Sequence, residues 1–575
     1  MIKRVVNVAV LLLVGRYYYW TVMASGNASP WGLDLAGYYD YLGRAFASGH
    51  LNVPIDPAQY QMHDMALYRG RYYLYHGAAP AVLLFAPYRL ATGHDLPEHY
   101  AQFAFCFGGF LFSALVLIRI LRLARVESGP GTLALLLLTL ALCTGVPYLL
   151  TRVWVYEIAI ACGFCCTAAG VFFLAGGVES EWRAAWWATS GLCFGLAIGS
   201  RPHLGLAALV TFAALLYYRT PRRSLIAFAT PLAAAGVAIA VYNYARFDNP
   251  LEFGLHHLIT VPGLNRIKLA AGFVPLGFRY FLLEPPAASP VFPWFSPASR
   301  PVALPQGYFL EGTAGALWLA PLIAAFLLAV PRGFRFPVAA AGAASAGIAL
   351  FLISTGFTTQ RYTIDFLPLA VLALATGFAL SSPGRIHLAV FGFAMVCTAI
   401  VNMAFGICGP YDELAKNRPK RYVRLASYFS PVQRHRPLLN PSFTLDFNGP
   451  LPPGAVRLLT LDHPAYRCVF GAERRDGKLR ITSETASGTL AKDLPDPGAS
   501  PQNIGIRYRA GKVEISLHGS VVLEQPLPNL VVAPSQVIAI ERAQFNFEKL
   551  VPARSMTRPL ADTPRNVASL APGRF

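Results

Sequence analysis

Residues 186–218 read WWATSGLCFGLAIGSRPHLGLAALVTFAALLYY, an apolar run interrupted only by Ser200-Arg201-Pro202-His203. About 20 apolar residues in a helix cross roughly 30 Å of hydrocarbon. The run is too long for one crossing and short for two full ones. It predicts two helices joined by a tight turn at 200–203 that stays close to the membrane surface. A chain that folds this way turns back on itself within a bilayer. Composition agrees: 55% of the 575 residues are hydrophobic, only 13% are charged, and the mean hydropathy is +0.45. Soluble globular chains carry about 25% charged residues, so much of this surface faces lipid. Intrinsic disorder, a coiled coil and a disulfide scaffold are excluded by the same numbers.

Outward from this hairpin, apolar runs of spanning length lie at about 5–23, 100–122, 131–151, 154–176, 184–200, 203–218, 224–243, 309–330, 336–355, 362–381 and 386–407, about eleven in all. The stretch 78–92 is shorter and carries two prolines and Arg89, which fits a re-entrant or interfacial segment. The positive-inside rule orients the chain. With the N-terminus cytoplasmic, Lys3, Arg4, Arg119, Arg122, Arg125, Arg183, Arg219, Arg222, Arg223, Arg332, Arg335 and Arg385 fall inside. The short external loops then carry only Arg152, Arg201 and Arg361. Lys3 and Arg4 before an apolar run also resemble a signal peptide, but Tyr17–Trp20 extend the run to spanning length. Three large pieces are expected outside: loops 24–99 and 244–308, and a domain from about 410.

In 410–552, apolar and polar residues alternate over 504–509, 513–517 and 521–524, with turn residues Ala510-Gly511 and His518-Gly519 between them. Further strands are expected at 478–483 and 536–541. The expectation is an external β-sandwich, either a carbohydrate-binding module or a structural cap, followed by a disordered tail at 553–575 rich in Pro and Arg. The net charge of +19 is distributed over the ends of apolar runs, not gathered on one soluble face, so nucleic acid is excluded as a partner. Eight of the nine cysteines lie within or at the end of apolar stretches, with Cys468 apart in the polar C-terminal part, and read as small buried hydrophobes.

Ionisable groups at the mouths of membrane spans are functional candidates, because burying them is costly. Asp34, in WGLDLAGYYDYLGRAFASGHL (31–51), stands near the start of an expected helix that ends at Gly49, so it is either a capping residue or a site residue. Asp40 is expected on the exposed side of that helix. Glu157, in RVWVYEIAI (152–160), needs a cation, a proton or a metal, with Arg152 as the structural alternative. Arg201 and Arg361, the latter in TTQRYTIDF (358–366) beside Tyr362, suit a lipid phosphate or simple headgroup anchoring. His76 and His203 are further candidates. In YNYARFDNPLEFGLHHL (242–258), Arg246, Asp248, Glu252, His256 and His257 form no recognised metal spacing.

Taken together, these segments resemble the C-type glycosyltransferase superfamily, near its bacterial protein O-mannosyltransferase and lipid A aminoarabinose transferase branch. The resemblance covers roughly 1–408. It rests on Asp34 and the YYDYLGRAFASGHL that follows, GRYYLYHGAAPAVLLFAPY (70–88), VYEIA (155–159), SRP (200–202), YNYARFDNPLEFG (242–254) and QRYTIDFLP (360–368). It implies a sugar donor on a polyprenyl phosphate, an acceptor on a glycan, lipid or protein, and a bacterial-type inner membrane with chemistry on its periplasmic face. Asp34 would be the first-loop catalytic carboxylate and Glu157 a second acidic group. Arg201 and Arg361, with Tyr362, would hold the carrier phosphate. Leu35 stands where the mannosyltransferases have a second acid, so a divalent metal is compatible with the sequence but not required by it. The competing class is a lipid or glycolipid transporter, which internal repeats and midplane polar sites would favour.

Overall fold

The computed structural model describes residues 2–25, 37–53, 64–180, 182–259, 269–289, 292–297, 304–410, 412–429, 443–449, 454–463, 466–485, 488–496, 498, 500, 502–509, 511–527, 537–540, 543–544 and 555–559. The chain divides into two compact units, 1–286 with 303–406, and 287–302 with 407–575.

The first unit is helical: α1 (Ile2–Ala24), α2 (Tyr38–Ala47), α3 (Glu98–Leu123), α4 (Pro130–Leu142), α5 (Val155–Glu179), α6 (Arg183–Ser200), α7 (Gly205–Tyr217), α8 (Arg222–Phe247), α9 (Arg332–Ser354), α10 (Leu367–Leu380) and α11 (Arg385–Cys408). Among the described residues, six helices (α1, α3, α5, α8, α9 and α11) are long and apolar enough to cross a membrane. On α11, Ile386, Val390, Phe393, Val396 and Ile400 are exposed at three- and four-residue steps. An exposed apolar stripe at helical spacing is a lipid-facing surface. This is a multi-pass membrane fold.

The hairpin at 186–218 forms as expected. α6 ends at Ser200, Arg201 is extended, and Pro202–Leu204 makes a 3-10 turn that leads into α7. Two other expectations need correction. The span at 309–330 is not one helix: Ala316–Leu319 is helical, Ala320 is extended, and Leu322–Leu327 is a 3-10 turn. Pro321 removes the amide that a continuing helix needs there. Several other spans are helices shorter than a full crossing, namely α4, α7 and α10. The segment 78–92 is helical, with a π turn at Ala81–Phe85 running into Ala86–Thr92.

Close packing fixes the centre of this unit. Gly191 and Gly195 on α6 face α8, where an added Cβ would come within 2.0 Å of the Phe228 carbonyl and 2.4 Å of the Ala235 Cβ. Small residues four apart let helix backbones touch. Gly77 abuts the C-terminal end of α6 in the same way, 2.1 Å from the Gly199 carbonyl if a Cβ were added. Thus the loop carrying His76 is locked against the turn carrying Arg201. Asp40 is a further correction: it is buried, not exposed, and its Oδ2 accepts the Gly37 amide at 3.0 Å. The α2 N-cap is Gly37, and the Glu98 carboxylate adds a bond from the Tyr39 amide at 3.0 Å. Two carboxylates at an N-terminus satisfy its free amides and complement the helix dipole.

The second unit contains two sheets. A hairpin in the first unit supplies β1 (Met65–Tyr68) and β2 (Arg71–Leu74). The second unit continues with β3 (Phe443–Gly449), β4 (Gly454–His463), β5 (Tyr466–Arg475), β6 (Lys478–Thr485), β7 (Gly488–Pro495), β8 (Gln502–Arg509), β9 (Lys512–Leu517), β10 (Ser520–Pro526), β11 (Val537–Ile540), β12 (Ala543–Gln544) and β13 (Ser555–Pro559). One sheet has the order β7-β6-β5-β4-β11-β12 and the other β10-β9-β8-β3-β13. Leu479 and Ile481 from the first, and Ile504, Ile506, Tyr508, Val513 and Ile515 from the second, are buried at alternate positions. This is the β-sandwich expected. The β9–β10 turn places both His518 and Gly519 at positive φ, 50° and 83°, as a two-residue hairpin loop requires. Within the expected tail, Ser555–Pro559 forms β13, which pairs in parallel with β3. A strand held by its ladder bonds needs no apolar alternation of its own, which is why 555–559 gave no signal. The rest of 553–575 lies outside the described residues.

Candidate functional site

The site is assembled at one end of the helical bundle, where α5 begins, α6 ends, and the 355–366 connection joins α9 to α10. Arg201 follows the last residue of α6, so its backbone is fixed by the hairpin turn. Its guanidinium meets Asp365 Oδ2 at 2.9 Å, and the same oxygen takes His203 Nε2 at 3.0 Å. Asp365 is almost fully buried. Arg361 lies one turn before Asp365 and pairs with Glu311 at 2.9 Å and with Glu157 at 3.8 Å.

Aromatic rings join the two ion-pair groups. Tyr362 lies between the guanidiniums, 4.7 Å from Arg201 and 5.8 Å from Arg361, and Tyr156 lies 4.7 Å from Arg361. A guanidinium over an aromatic face gains attraction while keeping its in-plane donors for other partners. Tyr156 in turn donates its hydroxyl to Asp64. His76 packs edge-on to Tyr156, with ring centroids 4.8 Å apart. Five segments distant in sequence thus form one network: Asp64 with His76, Tyr156 with Glu157, Arg201 with His203, Glu311, and Arg361 with Tyr362 and Asp365.

The electrostatics are those of buried charge. Burial disfavours the charged form of Arg361, but the Glu157 and Glu311 carboxylates outweigh it and raise its pKa. His76 is held neutral: burial pushes its pKa well below the ordinary histidine value, and Arg201 and Arg361 push the same way. Glu157 Oε2, Asp365 Oδ1, His76 Nε2, Arg201 Nε and Arg361 Nε are buried without a hydrogen-bond partner among the described residues. Buried polar atoms are ordinarily paired. Five exceptions lie within this one network.

The other candidates fall into place around this network. Asp34 lies outside the described residues. Glu157 has Arg361, not Arg152, as its ion-pair partner. At 7% side-chain exposure, Arg361 is too buried for headgroup anchoring. Arg246 acts as a structural tie, donating to the Leu74 carbonyl at 2.7 Å and to Asn243 Oδ1 at 2.8 Å, and so pins β2 to the end of α8. In the 242–258 segment, Asp248 accepts from Tyr68 and pairs with Arg69, and Glu252 meets His256 at 2.5 Å. No group of three or more metal-ligating side chains occurs among the described residues.

Sequence reasoning missed Asp365, Glu311 and Asp64 as members of the network. Glu311 had a usable signal, a carboxylate at the head of an apolar run. Asp365, just before the apolar run 366–380, had the same signal, while Asp64 had none, since only folding brings it to its partner. Beside the network, α6 and α8 enclose a cavity of about 340 Å³ lined by Leu192, Leu196, Ile198, Ala235 and Ile239, with His76, Tyr242, Asn243 and Arg246 among its polar residues.

The fold and site define a multi-pass membrane protein with a buried charged centre at one end of its helices. Two solved structures are similar to it. One is ArnT from Cupriavidus metallidurans bound to undecaprenyl phosphate, at 13% identity and TM-score 0.39, covering 73% of this chain and 79% of that one. The other is the Archaeoglobus fulgidus oligosaccharyltransferase in the apo form, at 12% identity and TM-score 0.41, covering 69% of this chain and 56% of that one. At TM-scores this low, neither likeness assigns an activity to this chain. No protein-family model matches the sequence, and no curated protein does.

Proposed function

We propose that this protein is a membrane glycosyltransferase that moves a sugar from a polyprenyl-phosphate-linked donor to an acceptor hydroxyl at the outer face of a bacterial-type inner membrane. The observation that carries this reading is the convergence of Glu157, Arg201, Arg361, Tyr362 and His76 on one buried network. Those residues stand out separately in the sequence, on segments far apart in the chain. Their shared position at helix ends favours chemistry at a membrane surface over a passage through the midplane.

In this reaction the acceptor oxygen attacks the anomeric carbon, the bond to the carrier phosphate breaks, and the phosphate leaves as an anion. An acceptor hydroxyl is a weak nucleophile until a carboxylate within hydrogen-bond reach takes its proton. We assign that role to Asp34, with a single displacement and inversion at the anomeric carbon. Arg201 and Arg361, with Tyr362 between them, stabilise the departing phosphate. Both arginines are already paired, so the carboxylates of Asp365 and Glu311 keep the guanidiniums oriented while the phosphate competes for their remaining donors. Glu157, with one oxygen unpaired, is the second acidic group facing the reacting atoms.

The test is turnover of a panel of radiolabelled polyprenyl-phosphate sugars by protein in lipid, with a membrane extract as acceptor, for wild type and Asp34→Asn. The expected result is transfer by wild type and donor binding without transfer by the variant. A product that retains the donor's anomeric configuration would sink the single displacement. If no donor binds or turns over, the transferase reading falls and lipid translocation in vesicles becomes the assay for the transporter alternative.

A further inference from the structure

A helix that comes after α11 and the short helix Glu413–Asn417 has a face that the transferase reading does not use. This helix, α12 (Pro419–Phe429), reads PKRYVRLASYF. At about 100° per residue, Lys420, Arg421, Arg424 and Tyr428 share one side of it, and all are exposed. Tyr422 and Ala426 are buried on the other side. No carboxylate pairs with Lys420, Arg421 or Arg424 among the described residues. Tyr428 and Phe429, at the C-terminal end, are 70% and 60% exposed.

The position of this face is set within one compact unit. Tyr422 donates its hydroxyl to the Phe292 carbonyl at 2.5 Å, and the Phe292 ring stacks on Phe429 with centroids 5.8 Å apart. Three residues on, the Phe295 carbonyl accepts from Cys408 Sγ at 3.5 Å. Cys408 is the last residue of α11. The short segment 292–296 therefore holds both α12 and Cys408 within the same unit.

We propose that α12 is an interfacial helix that docks on anionic phospholipid headgroups through Lys420, Arg421 and Arg424, with Tyr428 and Phe429 at headgroup level. Basic residues immediately beyond a membrane helix gain attraction to anionic lipid that adds up per residue. Their aliphatic stems, like the tyrosine and phenylalanine rings, lie along the apolar boundary while the charges reach water. The face is basic with no acidic member, and it is tethered to a membrane helix, so a bilayer surface is the occupant that matches both its charge and its place. The inference does not depend on the transferase reading.

The experiment is amide hydrogen exchange on the full chain in nanodiscs of phosphatidylcholine, with and without phosphatidylglycerol. The comparison uses wild type, a triple variant (Lys420→Gln, Arg421→Gln, Arg424→Gln) and a charge-preserving control (Arg421→Lys, Arg424→Lys). In wild type, anionic lipid is expected to slow exchange across 419–429 by up to about a hundredfold, for three charges each contributing about fivefold. Raised salt should weaken the effect. The triple variant should lose it and the lysine control should keep it. Unchanged exchange in peptides from the end of α11 checks that the variants fold. Equal wild-type exchange in both discs overturns the proposal and leaves the face to an acidic protein partner. A triple variant that keeps the anionic-lipid effect overturns it as well.

Discussion

Replacing Asp365 tests whether the two halves of the site depend on each other as the geometry requires. Its Oδ2 faces Arg201 at 2.9 Å and His203 at 3.0 Å, and its side chain is only 1% exposed. At that separation and an effective dielectric near 20, a unit-charge pair is worth about 6 kcal/mol before desolvation is counted. Removing one partner of a buried pair costs about 3–5 kcal/mol, because the other charge is left without compensation. Asp365→Leu should therefore destabilise by about 3–5 kcal/mol. Asp365→Asn keeps an acceptor for the guanidinium, and such a bond returns about 1.5–3 kcal/mol, so its loss should be smaller. Arg201→Met removes the other partner. Combined with Asp365→Leu it should cost less than the sum of the single changes, with a coupling energy of about 2–3 kcal/mol. The assay is equilibrium unfolding of the four proteins in mixed micelles, followed by tryptophan fluorescence. A coupling energy below about 0.5 kcal/mol would refute the pairing and with it the idea that Asp365 orients Arg201.

Glu157→Gln should cost less than Asp365→Leu in the same assay, because Arg361 keeps Glu311 at 2.9 Å and loses only the contact at 3.8 Å. Its transfer rate should nevertheless fall by about a hundredfold or more, and equal rates in variant and wild type would remove Glu157 from the chemistry. His76 gives a pH prediction. Its folded pKa lies below its unfolded value, so the unfolded chain binds the extra proton. The contribution to stability is present above about pH 6.5 and is lost as the pH falls below it, by up to about 1.4 kcal/mol per pH unit. His76→Gln should flatten that part of the stability profile. Asn402 ties three elements together, accepting the Gly145 amide at 2.9 Å and donating to the Leu319 and Thr398 carbonyls at 2.6 and 2.8 Å. Asn402→Leu should cost about 1–3 kcal/mol in thermal or chemical unfolding without changing donor affinity.

Much of the fold could be read from the chain because hydrophobicity is a local property. The run at 186–218 carries its own hairpin: apolar length sets the two helices, and Pro202, which cannot continue a helix, sets the turn. The alternation at 504–524 likewise carries β8, β9 and β10, since a strand with one buried face repeats every second residue. Where the local signal was ambiguous, tertiary structure decided. The 309–330 run has the composition of a span, yet Pro321 and the extended Ala320 break it. Asp40 has the character of a surface residue, but it is buried because the Gly37 amide needs an acceptor.

The site divides along the same line. Sequence alone determined that Glu157, Arg201 and Arg361 are anomalous, because a charge beside an apolar run is visible without knowing its neighbours. It did not determine their partners. Asp365, 164 positions after Arg201 in the chain, meets it at 2.9 Å, and Arg361, not Arg152, is the counter-charge of Glu157, a pairing it shares with Glu311. Hydrophobic burial is summed residue by residue along the chain and so leaves its pattern in the sequence. An ion pair depends on the distance between two side chains, and that distance exists only once the helices have packed.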